Sequence, residues 1–129
     1  TAGAGGGGQC LLVGCGTAYA VSRKGVAKLL YDFGGGSDGD APEAGLTSMN
    51  GMLYGTTEYG GGSSNAGTVY SVTLAGTEKV LHRFRSGSSD GANPESGLVD
   101  VKGKLYGTTA YGGRSGCLNR CGIVFVLTP

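Results

Sequence analysis

The chain has 129 residues, of which 29 are Gly and 3 Pro, so these two types make up about a quarter of it, at the edge of the range where disorder is the default expectation. The rest of the composition excludes disorder, because 39 % hydrophobic residues, seven Tyr, three Phe and only 15 % charged residues can build a buried core. Ten basic against nine acidic side chains leave a formal charge of +1, which excludes the electrostatic footprint of a nucleic-acid or anionic-membrane binder, and no run approaches the roughly 18 apolar residues of a membrane-spanning helix.

From the N-terminus, the first strand-like run is Gly16-Thr17-Ala18-Tyr19-Ala20-Val21. Lys24-Gly25 marks a turn, and Lys28-Leu29-Leu30-Tyr31-Asp32-Phe33 is the second run. A polar stretch from Ser37-Asp38-Gly39 to Pro42 follows, and then four runs over 45–49, 52–58, 67–73 and 78–84. Each is short, rich in β-branched or aromatic residues and bounded by Gly, Asp, Asn or Ser, which predicts strands. Asn50-Gly51 and Lys102-Gly103 sit where a two-residue hairpin loop belongs, and Ala75-Gly76 sits in the next such loop. In Thr68-Val69-Tyr70-Ser71-Val72-Thr73 the side chains alternate about the strand, and no segment shows a helical apolar period.

These runs recur. Gly16 to Val21 returns as Gly67-Thr68-Val69-Tyr70-Ser71-Val72 and again as Gly122-Ile123-Val124-Phe125-Val126-Leu127. Lys28 to Phe33 returns as Lys79-Val80-Leu81-His82-Arg83-Phe84, and Asp38-Gly39 through Pro42 as Asp90-Gly91 through Pro94. Leu53-Tyr54-Gly55-Thr56-Thr57 through Tyr59-Gly60-Gly61 returns as Leu105-Tyr106-Gly107-Thr108-Thr109 through Tyr111-Gly112-Gly113. A period of about 50 residues with four strands per period signals a stacked or radial repeat, the size of one propeller blade. The expected fold is all-β, with propeller-like antiparallel repeats of about 51 residues, open-ended and in one domain: a partial repeat over 1–33, a full one over 34–84 and a partial one over 85–129, roughly two and a half units.

The unit formed by Gly-Leu, Leu-Tyr-Gly-Thr-Thr, Tyr-Gly-Gly, a Cys pair, Gly-Thr-Val-Tyr/Phe, Leu-His/Tyr-x-Phe and Asp-Gly-x-x-Pro resembles the Gloeo–Verruco (GloVer) repeat of secreted bacterial proteins, over nearly the whole chain. The resemblance implies an extracellular or cell-surface β-repeat, propeller-like and often part of a longer surface protein. It implies no catalytic residues.

Thr1 aligns near Thr109, so the chain opens partway through a repeat, and it closes at Pro129 just after a third strand. Unlike deficits at the two ends leave open sheet edges that invite pairing with another chain. The expectation is a homo-oligomer or polymer joined head to tail, closing into a ring or growing as a filament or layer. The alternative is a fragment of a longer surface propeller, and the absence of an initial Met fits either a processed protein or such a piece.

The four cysteines form two close pairs, Cys10/Cys15 and Cys117/Cys121, each just before a Gly that opens a third strand, while the middle repeat carries Gly62-Ser63-Ser64-Asn65-Ala66 there. Two pairs suggest disulfides and an oxidising compartment, paired locally, although four cysteines allow three connectivities. Each small loop would be stabilised by about 2 kcal/mol in the chain-entropy account. Zinc is the competing reading, disfavoured because two loops a hundred residues apart would have to meet. No metal and no cofactor is expected.

Asp38-Gly39-Asp40 invites a calcium reading, but only the first Asp recurs, at Asp90, so these two are read as acceptors of backbone N–H groups in turns. His82 is the single histidine and its repeat-mate is Tyr31, which points to a strand residue with a polar tip rather than a catalytic base. Without a second His no triad is available, and Glu43, Glu58, Glu78 and Glu95 show no spacing that pairs two of them as in sugar hydrolysis. The runs Gly5 to Gly8 and Gly34 to Gly36 lack the Lys-Ser/Thr of a phosphate loop. The chain is therefore read as no enzyme. Tyr54 and Tyr106, inside strands, are read as core, whereas Tyr59 and Tyr111, each before a Gly pair, are the candidates for stacking on a sugar. A non-catalytic structural protein that self-assembles is the first reading, and a carbohydrate-binding module on Tyr59 and Tyr111 the second.

Overall fold

The computed structural model describes residue 10 and residues 14–114, 116–118 and 121–129. The Gly run 5–8 and most of the first thirteen residues lie outside the described residues.

Thirteen antiparallel strands and no helix make up the described residues: β1 (Thr17–Val21), β2 (Ala27–Asp32), β3 (Gly39–Asp40), β4 (Thr47–Met49), β5 (Met52–Thr57), β6 (Tyr59–Gly60), β7 (Thr68–Val72), β8 (Glu78–Arg83), β9 (Gly91–Ala92), β10 (Val99–Val101), β11 (Lys104–Thr108), β12 (Tyr111–Gly112) and β13 (Val124–Leu127). They form a two-stranded first sheet β1-β2, a four-stranded second sheet β4-β5-β7-β8 and a three-stranded third sheet β10-β11-β13. Two short ladders, β3-β6 and β9-β12, tie the loops together. The four runs expected over 45–84 are the four strands of the second sheet. The two-residue ladders were missed because pairs such as Gly39-Asp40 and Tyr59-Gly60 are too short to show a period.

The hairpins follow from their turn residues. Asn50 and Gly51 have φ of 51° and 77°, Lys102 and Gly103 of 52° and 79°. Both residues being left-handed is the type I′ turn that matches strand twist. The loop at Ala75-Gly76 is longer than the expected two residues. Thr73 and Thr77 close it with a Thr73 N–H to Thr77 carbonyl bond of 2.9 Å, leaving three residues between them, of which only Gly76 takes a positive φ, 93°.

The Leu-Tyr-Gly-Thr-Thr motif is explained by what crosses it. Gly55 pairs with Tyr70 and Gly107 with Phe125 on the neighbouring strand, and each ring lies over its glycine. A Cβ on Gly55 would come 2.6 Å from the Tyr70 hydroxyl oxygen, and one on Gly107 2.5 Å from the Phe125 ring. The final Thr serves as a local hub: the Thr57 hydroxyl donates to the Tyr59 carbonyl at 2.9 Å and accepts the Thr68 N–H at 3.2 Å. Thr109 repeats this with the Tyr111 carbonyl and the Ile123 N–H.

The three sheets stack face to face with a consistent polarity. One face of each sheet carries the aromatic residue of its third-strand equivalent, Tyr19, Tyr70 or Phe125, and is called here the ring face; strand alternation puts the next residue on the opposite face. The ring face of the second sheet, with Tyr70, Val72 and Leu53, packs on the opposite face of the first, with Ala18, Leu30 and Phe33. The ring face of the third sheet, with Leu105, Phe125 and Leu127, packs on the opposite face of the second, with Met49, Tyr54, Val69 and Phe84. Both joints are pinned by edge-to-face ring pairs, Phe33 on Tyr70 at 4.9 Å and Phe84 on Phe125 at 5.1 Å.

The Tyr70 hydroxyl is buried with no hydrogen-bond partner among the described residues, and burial, followed by the field of Glu78, pushes its pKa above the ordinary phenol range. An unsatisfied buried hydroxyl costs about 1–3 kcal/mol. Tyr70→Phe, which copies the residue present at Phe125, is therefore expected to leave stability unchanged or raise it by about 1 kcal/mol. Urea unfolding measures it, and a loss above that size would mean the hydroxyl has a partner.

Candidate functional site

Both disulfides are formed within the close pairs, Cys10–Cys15 with Cα atoms 5.0 Å apart and Cys117–Cys121 at 5.4 Å. Cys15 is buried in the joint between the first two sheets and Cys10 packs against it, whereas Cys117 and Cys121 are exposed.

Asp38 and Asp90 build the same turn. The Asp38 carboxylate accepts the Gly39 N–H at 2.8 Å, the Gly34 N–H at 2.9 Å and the Tyr31 hydroxyl at 3.0 Å. Asp90 accepts the Gly91 and Arg85 N–H groups at 2.8 and 2.9 Å, and the ring of His82 lies 3.3 Å from it. Tyr31 and His82, repeat-mates in the sequence, thus reach the same carboxylate position with different polar tips. Burial pushes the Tyr31 phenol up to about 12, the bond to Asp38 adding to the effect.

Tyr59 and Tyr111 fall on equivalent ladders, paired with Asp40 and Ala92. Tyr59 is 38 % exposed, and Tyr111 packs partly against the core between the second and third sheets. A hydrogen bond to Glu58, then burial, holds the Tyr59 phenol at about 12, with Glu43 and Tyr111 adding to its field. The half-exposed ring and the Glu58 carboxylate therefore meet at one edge. An open hollow of about 590 Å³ lies elsewhere, lined by Ser86, Gly113, Arg114 and Cys117 among others, with neither carboxylate nor histidine in its lining.

Glu78 is half-buried and its Oε1 has no hydrogen-bond partner among the described residues. Burial first, then Asp38, raises its pKa to about 7, against the opposing pull of Arg83. A carboxyl whose folded pKa stands above its ordinary 4.5 stabilises the fold most below 4.5 and loses that contribution as pH rises through 7. Glu78→Gln is expected to flatten this part of the pH profile. Its urea midpoint should gain on the parent between pH 5 and pH 8, and equal midpoint differences at both pH values would contradict it.

Exposed apolar side chains gather on two sheet faces at opposite ends of the stack. On the ring face of the first sheet Tyr19, Val21 and Leu29 are exposed, at 40, 57 and 58 %. On the far face of the third sheet Val99, Val101, Tyr106, Val124 and Val126 are exposed, Val124 at 76 %. These are repeat-mates of residues that the second sheet buries: Tyr19 and Val21 of Tyr70 and Val72, Tyr106 and Val124 of Tyr54 and Val69. Tyr106 departs from the core position expected for it. Its exposure is 37 % against 6 % for Tyr54 because no described sheet covers that face.

No helix among the described residues is long and apolar enough to cross a membrane. No curated protein and no solved structure matches the chain. A family model does match it, along residues 4–129: the chain belongs to the Gloeobacter/Verrucomicrobia repeat family.

Proposed function

We propose that the protein is a non-catalytic, extracellular structural module that joins to further copies of itself through its two open sheet faces, the ring face of one copy covering the far face of the third sheet of the next. The observation that carries this reading is the polarity of the stack. Each internal joint sets a ring face on an opposite face, and the two exposed faces are one of each kind. A contact between unlike surfaces is heterologous, so it closes into a ring if the rotation per sheet permits, in a propeller-like arrangement, and otherwise grows as a filament or layer. Contiguous exposed Val, Leu and Tyr on a small domain are the mark of an interaction surface. The two local disulfides support an oxidising, extracellular setting.

Light scattering over a concentration series tests the proposal. The expected masses are multiples of 12.8 kDa that fall on dilution. A mass of one chain at every concentration overturns self-assembly and leaves two readings to pursue: coverage of the same faces by further repeats in a longer chain, and glycan stacking on Tyr59 and Tyr111.

A further inference from the structure

The Sγ atoms of Cys10 and Cys15 and a carboxylate oxygen of Asp40 all lie within 4.8 Å of one another. Cys15 is buried and the other two are half-buried. Asp40 comes from the ladder strand β3, 25 residues beyond Cys15 in the chain, so only the fold brings it there. While the disulfide is closed the sulfurs bind each other, but the trio is positioned by contacts that do not pass through that bond. The Cys15 carbonyl accepts the N–H of Ala41, next to Asp40, at 2.9 Å. The Cys10 carbonyl accepts the Gly14 N–H at 3.1 Å, and the Gly39 carbonyl accepts the Gly35 N–H at 3.1 Å. Gly35 is placed with its Cα against both sulfurs; a Cβ there would lie 2.7 Å from one and 3.1 Å from the other. Backbone therefore walls that side.

We propose that, with its disulfide reduced, the Cys10, Cys15 and Asp40 cluster is a binding site for a thiophilic divalent cation of the zinc type, and that oxidation closes it. Two thiolates select zinc or cobalt over calcium and magnesium, whose preference is for oxygen alone. Tetrahedral zinc takes Zn–S bonds of about 2.3 Å and Zn–O bonds of about 2.0–2.2 Å, which places its ligand atoms about 3.5–3.8 Å apart. The two sulfurs, bonded to each other in the closed disulfide, must separate to that spacing on reduction, while the Asp40 oxygen already lies within 4.8 Å of both. Three protein ligands leave a fourth position for water. The C-x4-C spacing of Cys10 and Cys15 suits a metal knuckle, and the ligand missing from the sequence pattern is supplied by a carboxylate rather than by the distant second cysteine pair. Cys117 and Cys121 are exposed, and among the described residues no carboxylate or histidine completes a similar trio with them.

The redox step balances with a trialkylphosphine as reductant. Phosphorus gives two electrons to the S–S bond and becomes the phosphine oxide, taking its oxygen from water, and the two protons of that water end on the two thiols. The metal then displaces those protons as it binds.

The test uses the full chain carrying Cys117→Ser and Cys121→Ser, reduced with the phosphine, desalted without oxygen and titrated with cobalt(II). A thiolate-to-cobalt charge-transfer band in the near ultraviolet, saturating at one equivalent and bleached by one equivalent of zinc, is expected. Asp40→Asn should weaken cobalt binding at least tenfold, and the oxidised protein should give no band. An unchanged affinity in Asp40→Asn, or no stoichiometric band in the reduced parent, overturns the proposal. Should Asp40→Asn fail to fold, the exchange of pairs decides: a chain with Cys10→Ser and Cys15→Ser must lose the site, and retention of one tight equivalent there overturns it as well.

Discussion

Val124→Glu combined with Val126→Glu is expected to abolish self-association, raising the dissociation constant by at least a hundredfold in sedimentation or light-scattering titrations. Both side chains are more than half exposed in the single chain, so the substitutions leave its own core untouched. In the proposed contact they would be covered by Tyr19, Val21 and Leu29 of the next copy, and an unpaired carboxylate there costs several kcal/mol, where every 1.4 kcal/mol is a factor of ten. Tyr19→Glu should have the same effect from the other end. The decisive result comes from mixing. A chain blocked on its third sheet still offers a good ring face, and a chain blocked on its first sheet still offers the face that fits it. Equimolar mixture should therefore yield a dimer of the two variants and nothing larger. A like-on-like contact makes the opposite forecast, because each blocked variant alone would still pair through its intact end, and that outcome would remove the head-to-tail geometry.

Phe84→Ala is expected to be the most damaging single change inside the chain, at about 3–5 kcal/mol of unfolding free energy. Phe84 is almost wholly buried, directly follows the last strand of the second sheet, and sets its ring edge-on against Phe125 of the third at 5.1 Å and against His82 at 4.7 Å. Truncation removes the largest fully buried side chain of that joint and leaves a cavity there. A loss of this size takes most of the stability of a domain at the low end of the usual range of about 5–15 kcal/mol. Urea unfolding measures it directly, and a loss below about 1.5 kcal/mol would show that the sheets are not held by this pin.

Much of this fold is legible because its signals are local. Alternation in Thr68 to Val72 and the Asn50-Gly51 and Lys102-Gly103 turns mark strands and hairpins without reference to anything distant, and the two disulfides join residues four and five apart. What stayed hidden depends on the third dimension. Leu53-Tyr54-Gly55-Thr56-Thr57 and Leu105-Tyr106-Gly107-Thr108-Thr109 are the same five residues, yet one Tyr is buried and the other exposed, since burial is decided by the neighbouring sheet and not by the strand. The place of Asp40 beside Cys10 and Cys15 has no counterpart in local spacing. The same holds for the shared target of Tyr31 and His82, which is visible only once Asp38 and Asp90 are seen accepting from both.

The one-way stacking of the sheets also bears on how such a chain can change over generations. A unit copied in tandem by unequal recombination would carry both halves of the joint with it, so the insert meets its neighbours through surfaces already fitted to them. In an open stack, gaining or losing whole units then disturbs no internal joint, so length can vary while each residue in the joint remains constrained. Selection can lengthen or shorten such an array stepwise without first passing through a misfolded ancestor.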